Sequence, residues 1–524
     1  MPVTSEHSEV RVPGVGLYEY LYGSLAPADE DRTAVIDLAE GTETSFSTLR
    51  THVDSAAGWL ARRGIRKGDV IALQCPNSES FIVAAHAVWR LGAVLTPVEL
   101  LATPRTVAHQ ITDSGAKLLL TLAGLGDGGE EAAELAGLSA DQVVHLDTGR
   151  GLNQMYAERN TPPVVDFDPA THLAALPYSA GTTGLPKGVR LTHRNLVANM
   201  AQIEGTGLVG RDDVIFGVLP FFHIYGLTVL ANLSVRLRAT VIAAPRFQLR
   251  TFLRSHEDYK VTFSFIAPPV AVSLAKDASV ADYDLSALRA VVSGAAPLDD
   301  RLARAVEDRL GIRVYQGYGL TEASPVTHMN FDDDLSRGSI GRPVAGTSHQ
   351  IIDPDTRAEI LPPTDGGLSD AGELWVRGPQ VMDGYLGDDE ATAAALPGDG
   401  WLRTGDIARQ DADGNAFIVD RLKDIIKYKG HQVPPAELEA VLLSHPAVAD
   451  VAVVGARTGT ADEIPRAFIV TQPDVTADDA LATELTDYVA ARVEPYKRIR
   501  DIRFTTQIPK STTGKILHHE LRED

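Results

Sequence analysis

The sequence has very little cysteine and no long apolar run, and each absence excludes a class of protein. Cys75 is the single cysteine among 524 residues, which rules out an internal disulfide, and no Cys/His pairs stand at zinc-site spacing. No stretch approaches the roughly 18 apolar residues of a membrane-spanning helix, and the first residues lack the basic and apolar parts of a signal peptide. We therefore expect a protein of the reducing cytoplasm.

Positive charge is also scarce. The chain has 48 Lys and Arg against 70 Asp and Glu, a formal net charge of −22. Such a charge repels nucleic acid and anionic membrane surfaces. The composition predicts no nucleic-acid partner and no membrane insertion, and any anionic substrate has to be bound by local lysine and arginine side chains.

Apolar runs alternate with amphipathic stretches over much of the chain, the pattern of a mostly parallel α/β sheet. This rhythm occupies the first 170 residues and returns from 192 to about 318. Between Phe331 and Asp413 the sequence pattern changes to short strands separated by turns rich in Gly, Pro and Asp. This pattern indicates a smaller β-rich module.

The length of 524 residues predicts two or more domains. A charged stretch at 420–424 would suit a joint between them, and the remaining hundred or so residues are enough for a small α+β domain. We predict an α/β fold with a large N-terminal body over 1–420, containing two mostly parallel sheets and a small β module. The small α+β domain would span 421–524.

Residues Tyr178 to Val189 form a run rich in glycine, hydroxyl residues and lysine. Glycines let a backbone approach an anion closely, while hydroxyls and a lysine add donors and positive charge. The run differs from the common P-loop because Lys187 is followed by Gly188 instead of Ser or Thr. An apolar stretch precedes it and a helical pattern begins at Leu191, the order of other nucleotide sites. The run predicts a polyphosphate-binding loop, with a flexible surface loop as the alternative.

Three further runs carry residue types that suit nucleotide chemistry. The run 316–322, Gln-Gly-Tyr-Gly-Leu-Thr-Glu, suits adenine stacking and magnesium binding. The run 401–406, Trp-Leu-Arg-Thr-Gly-Asp, offers one carboxylate that can accept both hydroxyls of a ribose, and 509–516 places a lysine after a Gly/Thr turn. Taken singly, each run could also be a turn with a solvated charge.

In this order and spacing the four runs resemble the adenylate-forming superfamily of acyl-CoA synthetases, non-ribosomal peptide adenylation domains and luciferases. The resemblance covers about Thr33 to Arg522. Within the superfamily, the runs at 220–225, 293–297 and 427–432 are most similar to 4-coumarate:CoA ligases. The resemblance implies ATP, Mg²⁺ and coenzyme A as cofactors. It also implies two steps: an acid and ATP give acyl-AMP and pyrophosphate, and CoA then displaces AMP.

The resemblance implies a role for each matching residue in the first step. The β- and γ-phosphates would be held by Ser179, Ala180, Gly181, Thr182, Thr183, Gly184 and Lys187. The rest of the nucleotide would contact Gln316, Gly317, Tyr318, Thr321 at the α-phosphate, Asp406 at the ribose, and Arg421. Glu322 would bind the metal, and Lys515 would bridge the attacking carboxylate and the α-phosphate. Ala180 departs from the hydroxyl residue that these ligases commonly have.

In the second step the small domain, mobile in this family, would rotate about the hinge residue Lys423, which lies near the nucleotide. The rotation would bring Lys427 and Gln432 to the adenylate, and Lys429 and Gly430 to CoA. Arg246 stands where the ligases commonly have a lysine that contacts CoA, and an arginine keeps the charge.

The acyl pocket implied by the resemblance is a flat slot lined by small residues, which favours a planar ring such as a cinnamic-type acid. Its lining would be Tyr225, Ser293, Gly294, Ala295, Ala296, Gly317, Gly319, Pro325, Val326 and Met329. His223 would gate this pocket, although a lone histidine on an apolar segment is more often a core residue. The Tyr225 hydroxyl could bond a ring substituent or simply pack.

Several alternatives stay open from the sequence. The enzyme could activate a medium-chain fatty acid or load a carrier protein, and an inactive adenylate sensor is a non-enzymatic reading. We interpret His518 and His519 as a solvated helix end instead of a metal site. The basic residues near Lys497 could attract CoA phosphates, but we interpret them as a solvated face.

Overall fold

A computed structural model describes residues 2–7, 9–126, 128–148, 151–179, 186–330, 338–364, 366–428, 431–457, 463–511 and 516–522, without the side chains of Gln432 and His519. The fold is a large α/β body with a small C-terminal α+β domain, as the sequence predicts. In this part of the chain no helix is long and apolar enough to cross a bilayer.

The first of two mostly parallel sheets has six strands. In spatial order they are Leu191–Thr192, Leu173–Ala175, Val94–Pro97, Val70–Leu73, Ala116–Thr121 and Val143–His145, and only the first pair is antiparallel. These strands are short, almost wholly buried apolar runs, which parallel sheets covered by helices on both faces require. The helices of this region are Phe46–Arg62, Glu79–Arg90, Pro104–Ser114, Gly128–Leu135 and Leu152–Glu158.

The central sheet has nine strands and carries the predicted nucleotide and acyl motifs at one end. In spatial order they are Arg342–Pro343, Val326–Asn330, Arg313–Gly319, Ala290–Ser293, Phe263–Ile266, Val214–Gly217, Thr240–Ala243, Thr33–Asp37 and Thr42–Ser45. Its helices are Leu17–Tyr22, His193–Glu204, the π-helix Gly226–Asn232, Leu233–Leu237, Leu249–Asp258, Pro268–Lys276 and Asp300–Leu310. The strands at 33–37 and 42–45 belong to this sheet, so the first 170 residues are shared between both sheets.

The predicted β-rich module is an antiparallel sheet, extended at both ends of the predicted range. Its strands are Val3–Thr4, Ser348–Ile352, Glu359–Ile360, Gly372–Arg377, Leu402–Gln410 and Ala416–Arg421. The strand at 3–4 comes from the start of the chain, which the sequence pattern did not indicate. The helix Asp389–Ala395 lies in the connection between the strands Gly372–Arg377 and Leu402–Gln410.

The small C-terminal domain has its own apolar cluster, formed by residues between Ile426 and Ile499. It contains the hairpin Ile426–Tyr428 and His431–Val433, and a sheet of Val448–Arg457, Glu463–Thr471 and Asp501–Phe504. The helices Pro435–Leu443 and Asp479–Ala490 pack on this sheet, and the short helix His518–Leu521 follows.

Candidate active site

The two ends of the predicted phosphate loop form a short antiparallel hairpin. Strand Tyr178–Ser179 pairs with Lys187–Gly188, so that Ser179 lies opposite Lys187. Thr192 caps the helix that follows by accepting from the Asn195 backbone, and Asn195 reciprocates. The predicted loop residues Ala180, Gly181, Thr182, Thr183 and Gly184 lie outside the described residues.

A segment of the antiparallel module extends this hairpin. The Leu386 N–H donates to the Gly188 carbonyl at 2.8 Å, and the Arg190 N–H donates to the Gly384 carbonyl at 2.9 Å. On the same segment, Asp388 Oδ2 lies 2.8 Å from Lys187 Nζ. The sequence analysis did not single out this segment, although its run of Gly384-Tyr385-Leu386-Gly387 is a signal for close backbone approach.

Glu322 lies where three chain segments come together: its own turn, the strand with Ser179, and the segment with Met382 and Tyr385. Its Oε1 accepts from Ser179 Oγ at 2.9 Å and from Tyr385 Oη at 3.0 Å. The Glu322 carbonyl accepts from the Met382 N–H at 2.8 Å, which fixes the 3-10 turn Thr321–Ala323. Burial and the Glu322 charge raise the pKa of Tyr385, so its hydroxyl stays a donor at neutral pH. The structure thus brings together four predicted nucleotide-site residues: Ser179, Lys187, Thr321 and Glu322.

The donor set at Glu322 fits magnesium, which prefers oxygen ligands and commonly uses one or two carboxylates together with substrate phosphates. No group of three His, Cys, Asp or Glu side chains stands ready to hold a metal in the described ranges. A carboxylate and a hydroxyl beside a phosphate loop therefore suit a metal that arrives with the nucleotide.

Asp406 is the centre of a second cluster. Tyr318 Oη donates to Asp406 Oδ2 at 2.5 Å, and Arg421 Nε lies 3.0 Å from Oδ1 of the same carboxylate. The Asp406 side chain is only 4 % exposed. Its negative charge raises the pKa of Arg421, and burial followed by the same charge raises the pKa of Tyr318. Three predicted nucleotide contacts therefore form one hydrogen-bonded unit.

Gln316 and Gly317 lie on the same strand as Tyr318, but neither contacts Asp406 through a described hydrogen bond. The Gln316 amide is used within the protein: its Oε1 accepts from the Leu298 N–H at 2.7 Å and its Nε2 donates to the Ser339 carbonyl at 3.0 Å. Gly317 lies opposite Met329 in the neighbouring strand. A side chain on Gly317 would make only ordinary contacts, the nearest 3.6 Å away.

The predicted acyl-pocket residues lie at the ends of three central strands. A Cβ atom on Gly294 would lie 2.8 to 3.0 Å from the Tyr225 ring, so the ring rests directly on the glycine backbone. A Cβ on Gly319 would lie 2.1 Å from the Pro325 carbonyl, which excludes any larger residue there. Other predicted lining residues follow on the same strand ends: Ser293, Ala295, Ala296, Val326 and Met329.

The hydroxyls of Tyr225 and Ser293 are buried, and neither has a hydrogen-bond partner among the described residues. His223 lies two residues before Tyr225, where its Nδ1 accepts from the Tyr225 N–H at 3.3 Å. His223 is partly exposed. Two buried hydroxyls without partners among the residues of the predicted acyl pocket are suited to a ligand that carries polar groups of its own.

The predicted CoA-side residues are more scattered. Lys427 is exposed and lies opposite Gln432 in the hairpin, and Arg246 is exposed in the loop after Thr240–Ala243. No hydrogen bond or ion pair in the described ranges joins either side chain to the Asp406 or Glu322 cluster. Lys429, Gly430 and Lys515 lie outside the described residues. The hinge residue Lys423 is exposed, and its carbonyl accepts from Arg522 Nη1 at 3.1 Å.

One surface interpretation from the sequence is wrong, and a second fails for one residue only: Arg498, Arg500 and Arg503 are exposed, as a solvated face requires, but Lys497 is not. The His518 side chain is only 15 % exposed, because it packs against two carboxylates and is not a solvated helix end. Lys497 is equally covered, and its Nζ lies 2.8 Å from Glu437 and 3.0 Å from Glu494. The contacts of His518 with Glu439 and of Lys497 with Glu437 span 79 and 60 residues, so they leave no local sequence signal, whereas Lys497 and Glu494 stand at the local i,i+3 spacing.

Fold and site together indicate an α/β enzyme with a nucleotide site on its large body, followed by a small C-terminal domain. The AMP-binding enzyme family matches residues 25–386, and the AMP-binding enzyme C-terminal domain matches 437–515. A 4-coumarate:CoA ligase 5 of Oryza sativa subsp. japonica is 40 % identical over 531 residues, covering 97 % of this chain and 94 % of the relative.

Solved structures agree. ATP-bound MatB from Rhodopseudomonas palustris has a TM-score of 0.87 at 27 % identity, covering 97 % of this chain and 98 % of that one. A benzoate CoA ligase from Burkholderia xenovorans has a TM-score of 0.87 at 25 % identity, covering 97 % and 100 %. The chain belongs to the AMP-binding enzyme family. It is an ATP-dependent, AMP-forming acid:CoA ligase that uses Mg²⁺, and its substrates are a small carboxylic acid, ATP and CoA.

Proposed function

We propose that the acid is a hydroxycinnamic acid, with 4-coumarate preferred over cinnamate. The observation that carries this proposal is the pair of buried, unpartnered hydroxyls of Tyr225 and Ser293. A buried hydroxyl without a partner costs about 1–3 kcal/mol, which a phenolic substituent of the substrate would recover. A site built to bond a substrate hydroxyl discriminates strongly against the analogue that lacks it. The names of the rice 4-coumarate:CoA ligase and of the benzoate CoA ligase support an aromatic acid.

Within this proposal each site residue has one role. Ser179 and Lys187, with the loop residues 180–184, bind the β- and γ-phosphates, and Thr321 binds the α-phosphate. Asp406, held by Tyr318 and Arg421, accepts the ribose hydroxyls. Glu322 holds Mg²⁺, which neutralises charge on the phosphates. Further assignments are acyl contacts at His223, Pro325 and Met329, adenine contacts at Gln316 and Gly317, and CoA contacts at Arg246, Lys429 and Gly430.

The chemistry needs a cation where charge develops during attack of the acid on the α-phosphate. We assign this role to Lys515. In the second step CoA sulfur attacks the acyl carbon and AMP leaves, with Lys427 and Gln432 binding the adenylate. We place the division between the body, 1–420, and the mobile small domain, 421–524, beside the hinge Lys423. A cytoplasmic location is supported by the single, buried Cys75.

The test is a panel of acids assayed for pyrophosphate release with and without CoA. The panel contains 4-coumarate, cinnamate, benzoate and octanoate. We expect kcat/KM for 4-coumarate to exceed that for cinnamate by at least about tenfold, because the phenol alone distinguishes them.

Equal kcat/KM values for 4-coumarate and cinnamate would contradict the proposal that the Tyr225 and Ser293 hydroxyls bind the phenol of the substrate. A preference for octanoate would replace the aromatic substrate with a fatty acid. Adenylate formation without transfer to free CoA, but with transfer to a phosphopantetheinyl protein, would contradict the second step.

A further inference from the structure

Two buried histidines join the central sheet to the antiparallel module. His328 lies on the strand Val326–Asn330 of the central sheet, and His349 lies on the strand Ser348–Ile352 of the module. His328 Nε2 lies 2.9 Å from His349 Nδ1, and the ring centroids are 5.0 Å apart. Both residues are fully buried. The pair therefore forms an internal hydrogen bond between the two sheets, and we call His328 and His349 the histidine pair.

Hydrogen bonds continue from the histidine pair in both directions. Thr327 Oγ1 lies 3.0 Å from His328 Nδ1, and His349 Nε2 lies 3.1 Å from Gln410 Oε1. Gln410 Nε2 donates to the Ile360 carbonyl at 2.8 Å, so the amide oxygen of Gln410 is the atom that faces His349. Because this oxygen can only accept, each imidazole has to donate through Nε2 and accept through Nδ1. A single direction of donation, from Thr327 to Ile360, thus satisfies all four ring nitrogens.

Both imidazoles of the histidine pair are neutral. Burial, followed by the neighbouring His349, lowers the pKa of His328 well below 6.5. Burial also lowers the pKa of His349, to about 4, although its hydrogen bond to Gln410 acts in the opposite direction. The removal of one ring would leave a buried donor or acceptor without its partner, which is costly. The histidine pair is therefore a fixed, uncharged connection at neutral pH.

A second hydrogen bond joins the same parts of the fold, from Tyr318 Oη to Asp406 Oδ2. Tyr318 and His328 are paired across neighbouring strands of the central sheet, with ring centroids 5.9 Å apart. Asp406 and Gln410 lie four residues apart on one strand of the antiparallel module. Tyr318 contacts the first of these residues, and His328 reaches the second through His349. The strand that carries Asp406 is therefore bonded at two points to one place on the central sheet.

We propose that His328 and His349 are positioning residues for nucleotide binding, which hold the Asp406 carboxylate in the orientation that accepts the ribose hydroxyls. This inference rests on the ribose role proposed above for Asp406. The bond at Asp406 fixes one point of its strand, and the bond at Gln410 restricts rotation about that point. A binding group has to be held within about 0.5 Å of its productive position by the hydrogen bonds around it.

The test measures the Kd of ATP and of 2′,3′-dideoxy-ATP, each with Mg²⁺, by calorimetry. The two nucleotides differ only in the ribose hydroxyls that Asp406 would accept. His328→Leu removes the bond to His349, and His328→Gln supplies an amide that can donate to His349 again. A change in general stability would not distinguish the two nucleotides, whereas a displaced Asp406 carboxylate would.

His256→Leu is the matched control. His256 is also fully buried, and its ring nitrogens lie 2.7 Å from the Phe252 carbonyl and 2.9 Å from Ser264 Oγ. Burial lowers its pKa to about 4 as well. Both partners belong to the central sheet and its helix Leu249–Asp258. The control therefore removes a buried, neutral histidine and leaves the bonds between the sheet and the module intact.

We expect the unchanged protein to bind ATP at least about tenfold more tightly than the dideoxy analogue, because hydrogen bonds to a charged group are lost with the hydroxyls. His328→Leu should raise the Kd for ATP about five- to tenfold and leave that for the analogue within about twofold. His328→Gln should recover most of the ATP affinity. His256→Leu should change neither Kd by more than about twofold, even if its melting temperature falls as far as that of His328→Leu.

Equal weakening of both nucleotides in His328→Leu, or no weakening of ATP, would overturn the proposal. Gln410→Met is a milder second variant, because it removes the acceptor of His349 and keeps both rings. If His328→Leu fails to fold, Gln410→Met should show the same selective weakening at a smaller size, and equal or absent weakening there would count against the proposal in the same way. If the unchanged protein binds the two nucleotides equally, the ribose role of Asp406 is wrong, and that outcome is distinct from a failure of the histidine pair.

Discussion

Ser179 Oγ donates a hydrogen bond of 2.9 Å to Glu322 Oε1 and thereby joins the hairpin of the predicted phosphate loop to the turn that carries the proposed metal ligand. The same oxygen accepts from Tyr385 Oη at 3.0 Å. Two hydroxyls that donate to one carboxylate oxygen restrict the orientation of Glu322. Neither hydroxyl donates to the other oxygen, Oε2. The orientation of the carboxylate is therefore set by residues from two distant parts of the chain.

Tyr385→Phe is expected to weaken magnesium-dependent nucleotide binding. The change removes one donor to a charged acceptor, a contact typically worth about 1.5–3 kcal/mol, so the Kd for Mg·ATP should rise about 10-fold or more. Calorimetry with Mg²⁺ and with EDTA measures this directly, and binding without Mg²⁺ should change much less.

The matched control for that change is Tyr18→Phe. Tyr18 Oη also donates to a carboxylate, Asp54 Oδ1 at 2.8 Å, and its ring also faces a cation, Arg90. Tyr18 lies in the helix Leu17–Tyr22, on an element that carries none of the site residues. An equal effect of the two substitutions on Mg·ATP binding would mean that Tyr385 acts only through general stability.

Gly294→Ala is expected to change the choice of acid, because its new Cβ would lie within about 3 Å of the Tyr225 ring. The ring must shift, and its hydroxyl shifts with it. We expect the ratio of kcat/KM for 4-coumarate over cinnamate to fall at least about fivefold.

Gly317→Ala is the control for that substitution, since its Cβ would meet neighbours only at 3.6 Å and beyond. Pyrophosphate release with both acids gives the ratio for each variant. A fall of the ratio in Gly317→Ala as large as in Gly294→Ala would show that the width of the slot, and not Tyr225, sets the preference.

Asp406→Ala is expected to destabilise the fold as well as abolish ribose binding. It leaves the Tyr318 hydroxyl without its acceptor, which costs about 1–3 kcal/mol, while the Arg421 side chain, 36 % exposed, loses its partner but can be hydrated. Urea unfolding measures the loss. Asp284→Ala, which breaks the exposed pair with Lys260, should have a much smaller effect.

Asp420→Asn is expected to stabilise the protein more at pH 8 than at pH 5. Burial, with help from nearby Glu439 and Asp424, raises the pKa of Asp420 to about 7. The folded state then binds a proton that the unfolded state releases near its ordinary pKa of 3.8, so this group's contribution to stability is lost as pH rises toward 7. Melting temperatures at both pH values test the sign. A stabilisation that is larger at pH 5 would contradict it.

The sequence predicted features that depend on local pattern and on motif order. The hairpin ends Ser179 and Lys187, the acidic turn at Glu322 and the carboxylate of Asp406 could be found because each stands in a run whose residue types suit phosphate, metal or ribose. The apolar run Ala290–Ser293 between turns likewise indicates a buried strand, and the structure has a strand with these bounds.

Tyr385 and His518 could not be found in that way. Tyr385 reaches Glu322 across 63 residues, and His518 reaches Glu439 across 79, so neither contact leaves a local periodicity. His518 was misinterpreted as solvated because two consecutive histidines near a chain end look polar and exposed. Only the return of the chain end to the joint shows that its partners are buried carboxylates.

The helix Pro435–Leu443 takes its first cap from outside the small domain: Asp420 Oδ2 accepts from the Ala436 N–H at 2.9 Å. A free N–H at a helix start needs an acceptor. In the domain rotation proposed above, this amide would leave Asp420 and pass to water or to another acceptor. This hydrogen bond would therefore have to break before the rotation, and it would favour the orientation in which Asp420 still accepts from Ala436.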